Sequence, residues 1–336
     1  MKKRNVFKII IPIIGIFQTI SCIGQKETTG INILQFVQEI PMPSVTGRID
    51  HLAINLKEQV VYVAALGNNT VEVVDLRKGN VIKSITGSNE PQGIAYIGRQ
   101  NEICIANGGN GACYFYDARN FNKTATIRLS DDADNVRYDS LENKIYVGYG
   151  SGGIAVIDAK QHLQIADIKL PAHPESFQIN YKLGRLYANL PNAKMIGEVD
   201  LQQLKLVQKW STGSFTSNFP LALDTAGHRL FVGYRNPAKM AVIDTRTGNL
   251  ISSANIPGDV DDLFFDSETA SIFTSGGEGY ISILRQQGNG TFETVSTIPT
   301  RKGARTSLLV PQLRLYILAA RAEGGKSAAL IIYKVL

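Results

Sequence analysis

A single strand-like segment recurs along the whole chain, and no other feature constrains the folding as strongly. Its copies are Val61-Tyr62-Val63-Ala64, Ile103-Cys104-Ile105-Ala106, Ile145-Tyr146-Val147-Gly148, Leu186-Tyr187-Ala188-Asn189, Leu230-Phe231-Val232-Gly233, Ile272-Phe273-Thr274-Ser275 and Leu315-Tyr316-Ile317-Leu318. Successive second positions, aromatic in every copy but the Cys104 one, are about 41 to 44 residues apart, the length of one four-stranded propeller blade. Each copy has an apolar strand before it, a Gly/Asn-rich turn after it, then a second strand, a polar turn and one more strand, the alternation of strands and breakers expected of an antiparallel meander. The pattern predicts an all-β chain of seven four-stranded antiparallel blades.

The ends of the repeat array predict how the ring closes. Ala304 to Leu336 supplies three strands, ending at Ala329-Leu330-Ile331-Ile332-Tyr333. The missing fourth is assigned to Leu34-Gln35-Phe36-Val37-Gln38-Glu39-Ile40 near the start of the chain, a pairing that leaves no open edge at the seam. Asp75, Asp117, Asp158, Asp200 and Asp244 recur where strands give way to turns, as expected of carboxylates that accept backbone N–H bonds. No long apolar run with a 3.6-residue period follows the first thirty or so residues.

The N-terminus reads as an export signal over residues 1–21: Lys2, Lys3, Arg4 and Lys8, then the apolar run Ile9 to Phe17, then small and polar residues. Thr19-Ile20-Ser21-Cys22 is similar to a bacterial lipobox and makes Cys22 the expected lipidation site, with residues 22–33 as a tether and residues 34–336 as the propeller. The expected location is the cell envelope, as a membrane-anchored lipoprotein or a soluble periplasmic protein, and the expected state is a monomer. The four basic residues of the signal also account for most of the net charge of +6, since without them 31 basic side chains face 29 acidic ones. Such a balance gives no phosphate-tracking surface and argues against nucleic acid as a partner. Cys104 and Cys113 flank Asn107-Gly108-Gly109-Asn110-Gly111 on two arms of a hairpin, which leaves open a cross-strand disulfide or two small buried thiols.

The repeated tetrads resemble the YVTN repeats of bacterial extracytoplasmic propellers over residues 34 to 336. Gly47-Arg48-Ile49-Asp50-His51, Asp131-Asp132-Ala133-Asp134-Asn135-Val136-Arg137, His173-Pro174-Glu175-Ser176 and Gly303-Ala304-Arg305-Thr306-Ser307 are similar to segments of members without an assigned function. That resemblance implies the seven-bladed fold and is compatible both with lactonases and with binding scaffolds, so function has to come from a site.

In a propeller, the turns entering the innermost strands and those joining second to third strands share one face, at the mouth of the central channel. The candidate ligand-binding residues there are Asp50, His51, Asn135, Arg137, His173, Arg235 and Arg305. Asp134, Glu175, Asn218, Asp261 and Asp262 form a candidate set of hard oxygen ligands for a calcium or magnesium ion. Gln92, Asn107, Tyr149, Asn189, Glu278 and Arg321 come from the same sets of turns, whereas His162 and His228 read as solvated outer-turn residues. Arginines 137, 235, 305 and 321 have the fork geometry to take a ligand's carboxylate or phosphate, or to pair with those acids. There is no Gly-x-Ser-x-Gly elbow, Walker loop or Cys-x-x-Cys-His motif. The leading expectation is a non-catalytic binding or scaffold propeller for a small molecule or an envelope protein segment. The alternative is a metal-assisted hydrolase of lactone type, using a channel carboxylate as base.

Overall fold

The computed structural model describes residues 29–288 and 290–336, so the expected export signal over residues 1–21 and the expected lipidation at Cys22 lie outside the described residues. Seven antiparallel sheets follow one another along the chain. Blade 1 is typical: Leu52–Asn55 lies innermost, followed outward by Val60–Ala65, Thr70–Asp75 and Asn80–Thr86. The innermost strands of blades 2 to 7 are Pro91–Ile97, Ala133–Asp139, Ser176–Asn180, Thr216–Asp224, Val260–Asp266 and Thr306–Val310.

Strand residues alternate between the two sides of a blade, so each blade offers an apolar face to both neighbours. The described residues accordingly form seven buried apolar clusters, one in each seam between successive blades. Tyr62, Tyr146, Tyr187, Phe231 and Phe273 each face the following blade. Cys104 does the same as a free thiol, and Cys113 is likewise free and buried in the seam between blades 2 and 3.

The seventh copy corrects the sequence alignment by one residue. A left-handed residue closes each turn before the second strand: Gln59, Asn101, Asn143, Gly184, His228, Ala270 and Arg314. In six blades the tetrad's second residue comes three positions later, but in blade 7 that place belongs to Ile317. Tyr316 turns back instead to the seam with blade 6, stacked on Phe273 with ring centroids 5.7 Å apart. Its hydroxyl donates to Ser307 Oγ at 2.9 Å, so the buried phenol is satisfied.

The recurring aspartates behave as turn formers. Asp75, Asp117, Asp158, Asp200 and Asp244 each accept one or two backbone N–H bonds from the residues two and three further on. The Arg119 guanidinium and the backbone N–H groups hold the Asp117 carboxyl down at about 2. His162 is not solvated as expected: Nε2 lies 2.7 Å from Glu102 Oε2, and the ring packs on Phe115 at 4.6 Å between centroids.

Leu34–Met42 supplies the outermost strand of blade 7, antiparallel to Ala328–Val335, in a register running from Leu34 opposite Val335 to Met42 opposite Ala328. The expected closure is therefore present, and the described strands already include residues before 34. Thr29–Gly30 adds a short fifth strand to blade 6, opposite Thr297 and Ser296, and Ile33 is buried in the seam between blades 6 and 7. Gly30 is required there: its φ is +95°, and a Cβ would lie 2.0 Å from the Val295 carbonyl oxygen. Deleting residues 34–42 should open blade 7 and leave Ala328–Val335 as a raw edge. Thermal unfolding should then broaden and shift to lower temperature, whereas an unchanged, single sharp transition would exclude this closure.

Candidate functional site at the channel mouth

With the seventh copy re-phased on Ile317, one repeat position defines the mouth. Asp50, Gln92, Asp134, Glu175, Phe219, Asp261 and Arg305 each precede by twelve residues the same position of their own second strand. All of them line one cavity of about 220 Å3, together with Arg48, His51, Asp132, His173, Ser176 and Arg235. A repeated backbone thus delivers a ring of unlike side chains to one place. Below it a second chamber of about 260 Å3 continues the channel, with His51 in the wall of both.

The ring is charged unevenly. On the side of blades 5 to 7, cations and acids neutralise each other: Arg305 Nε lies 2.7 Å from Asp261 Oδ2, and Arg305 Nη1 lies 2.7 Å from Asp259 Oδ1. Arg235 pairs with Asp261 through Nη2, donates from Nε to the Val260 carbonyl at 2.9 Å, and lies 3.9 Å above the Phe219 ring. Burial still pushes the Asp261 carboxyl up to about 6, against the pull of these two guanidinium groups. At blade 1, Arg48 Nη2 is 2.5 Å from Asp50 Oδ2.

The side of blades 3 and 4 has acceptors to spare. His173 Nδ1 donates to the Gly150 carbonyl at 2.7 Å, and Nε2 lies 3.9 Å from Asp134 Oδ2. Burial works against the imidazolium, but Asp134 and the Gly150 carbonyl raise its pKa to about 9. Asn135 Nδ2 donates to the Glu175 carbonyl and lies 3.2 Å from His51 Nε2. The buried atoms Asp134 Oδ1 and Asn135 Oδ1 have no hydrogen-bond partner among the described residues, and the Glu175 carboxyl has neither a hydrogen bond nor an ion pair there. Burial, reinforced by the charge of Asp134, pushes Glu175 up to about 7. His51 is also raised: burial opposes its charge, but Asp50 and Asp262 outweigh that.

Of the candidate oxygen-ligand set, Asp134, Glu175 and Asp261 reach the mouth cavity and the other two do not. Asp261 is held by Arg235 and Arg305, whereas the neighbouring Asp262 accepts from the Ser307 N–H at 2.7 Å in the lower chamber. Asn218 is fully buried, with Nδ2 donating to Asn189 Oδ1 and to the Met195 carbonyl, so it locks blade 4 to blade 5. Among the described residues no group of three or more His, Cys, Asp or Glu side chains is placed to hold a metal ion. The donor set therefore does not fit the calcium or magnesium ion considered from the sequence.

Most of the other turn residues are structural as well. Asn107 bonds the Ile105 and Ala112 carbonyls, the Tyr149 hydroxyl donates to Asp167, and Glu278 accepts from the Gly258 N–H. Arg48, Asp132 and Phe219 were not singled out from the sequence. Phe219 was findable, since it sits at the ring position of blade 5, but an aromatic residue at a strand start reads as core.

Fold and site together define a seven-bladed propeller with a polar, lined channel mouth. An 80-residue stretch is 31% identical to the uncharacterized protein YncE of Salmonella typhimurium (strain LT2) and 30% identical to that of Salmonella typhi. The match takes in 24% of this chain and 22% of each relative, about a fifth of their length. No family model matches the chain. Among solved structures, a chain of the mitotic checkpoint complex superposes with a TM-score of 0.76 at 15% identity, over 99% of both chains. The hydrazine synthase of Kuenenia stuttgartiensis gives 0.72 at 14% identity, over 82% of this chain and 92% of that one. At such identities both likenesses establish the fold alone.

The raised Glu175 pKa has a signed consequence. An unfolded glutamate ionises near its ordinary value of 4.5, but in the folded protein ionisation waits until about 7. Folding stability is therefore unaffected by this group at low pH and declines as pH rises through that window. Glu175→Gln should raise the melting temperature at pH 8 and leave it unchanged at pH 4. A variant less stable than wild type at pH 8 would show that the carboxylate is satisfied in the fold.

Proposed function

We propose that this chain is an extracytoplasmic, non-catalytic binding propeller of the YVTN-repeat kind, whose channel mouth holds a small organic amine. The observation that carries this reading is the pair of unpartnered acceptors in the mouth wall, Asp134 Oδ1 and the Glu175 carboxyl, next to the likewise unpartnered Asn135 Oδ1 of the following residue. A buried acceptor without a donor costs about 1–3 kcal/mol, and a ligand offering several N–H groups removes that cost. His173, already shared between Gly150, Asp132 and Asp134, does not meet the need. The export reading rests on residues 1–21 and Cys22 of the sequence. The metal-assisted lactonase alternative requires three or more converging ligands, whereas Asp261 and Asp262 are held by separate partners and, of that set, only Asp134 and Glu175 are left free at the mouth.

Methylammonium chloride is the probe, with sodium chloride at equal ionic strength as the reference. The reading predicts saturable binding by calorimetry that is about tenfold tighter at pH 8 than at pH 6, because Glu175 ionises between them. Glu175→Gln combined with Asp134→Asn should abolish binding and leave a cooperatively folded protein. Binding that is independent of pH and survives the double substitution would overturn the assignment.

A further inference from the structure

The lower chamber contains a half-buried cation that the fold does not pair with a carboxylate. Arg137 lies nine residues ahead of the phase position in blade 3, where the other blades have Ala53, Ala95, Gln178, Ala222, Phe264 and Leu308. Among these seven equivalent positions it is the one charged side chain. Its guanidinium donates from Nη1 to the Val136 carbonyl at 2.9 Å and lies 5.5 Å from the Phe177 ring centroid. No carboxylate among the described residues comes within ion-pair distance of it, although Arg48, Arg235 and Arg305 in the chamber above are each paired.

The acid whose charge reaches Arg137 most strongly is Asp262. That carboxylate is engaged elsewhere, by the Ser307 N–H and by His51, whose Nδ1 is 3.7 Å away. The Gln178 amide nitrogen and the Ser307 hydroxyl are also committed. Gln178 Nε2 donates to the Leu221 carbonyl at 2.8 Å, and Ser307 Oγ is shared with Ser275 Oγ and the Tyr316 hydroxyl. The rest of the wall is largely apolar, with Leu52, Ile94, Val136, Phe264 and Leu308.

A guanidinium partly withdrawn from bulk water is stabilised by an anion with matching geometry, and a carboxylate takes two of its parallel N–H groups at once. An inorganic oxyanion would have to bury its remaining charged oxygens against leucine, isoleucine and phenylalanine, which is unfavourable. We propose that the lower chamber binds a short-chain aliphatic monocarboxylate, with Arg137 forked onto its two oxygens and the apolar wall covering its alkyl chain. This goes beyond the amine site above it and rests on the channel being open to ligands.

The test uses the wild-type protein with sodium butyrate, sodium phosphate or sodium chloride at matched ionic strength and pH 7.5, followed by thermal unfolding and calorimetry. Butyrate should raise the melting temperature saturably, and phosphate should do no more than chloride. Arg137→Gln should abolish the butyrate response and keep the methylammonium response, which reports an intact fold and mouth. If Arg137→Gln does not fold, Arg137→Lys replaces it: keeping the charge but losing the fork should weaken butyrate by about tenfold. A phosphate response equal to that of butyrate, no butyrate response in wild type, or a butyrate response undiminished by whichever of the two substitutions folds would overturn the proposal. Loss of the butyrate response alone in wild type would refute this inference and spare the amine site, whereas loss of both responses would refute the channel as a binding site.

Discussion

The pairing of Leu34–Met42 with Ala328–Val335 is the contact on which the rest of the molecule depends. Without that strand blade 7 would have three strands, a raw edge at Ala328–Val335 and thinner seams with blades 6 and 1. Here the N-terminal strand is packed into both seams that blade 7 makes. Ile40 and Met42 are buried against blade 1, and Leu34 is buried with blade 6 residues. The seven side chains of the mouth come from seven blades, so they share one cavity because the ring is shut.

Close approach at the channel follows from the same closure. Gly93 in blade 2 stands where a Cβ would be 1.9 Å from the Asp134 carbonyl oxygen, so blades 2 and 3 meet backbone to backbone at the level of the ring. Within that frame the side chains divide the work. Arg235, Arg305, Asp259 and Asp261 neutralise one side, and the acceptors of Asp134, Asn135 and Glu175 are left over on the other. Further down, Arg137 reverses the sign. The channel thus changes along its axis from surplus acceptors to a surplus cation, with His51 between them, an arrangement that a channel merely filled for packing does not require.

The fold was legible because a repeat states its period many times, and one irregular copy cannot hide the others. The irregular copy still misled: Tyr316 resembles the aromatic of the other tetrads, but the chain reaches it one residue early, and only the left-handed Arg314 shows the true phase. The two-residue strand Thr29–Gly30 is too short to carry a pattern, so residues 29–33 read as tether although they pack against blades 6 and 7. Residue type at the mouth was readable, since acids, amides and arginines recur at strand entrances. Direction was not. Asp261 and Asp262 are adjacent in sequence, but strand alternation sends one to Arg305 and the other to Ser307. Asn218 looked like its neighbours and is instead a seam residue, because its amide meets Asn189 of blade 4.

Native-state hydrogen exchange of the Leu34–Met42 amides tests most directly whether closure governs the mouth. If the strand is an integral part of the ring, its hydrogen-bonded amides should exchange only through global unfolding, with the same opening free energy as those of Ala328–Val335 and of the innermost strands of blades 3 and 4. Exchange of Leu34–Met42 through a separate, much lower-energy opening, with the mouth strands still fully protected, would contradict the account.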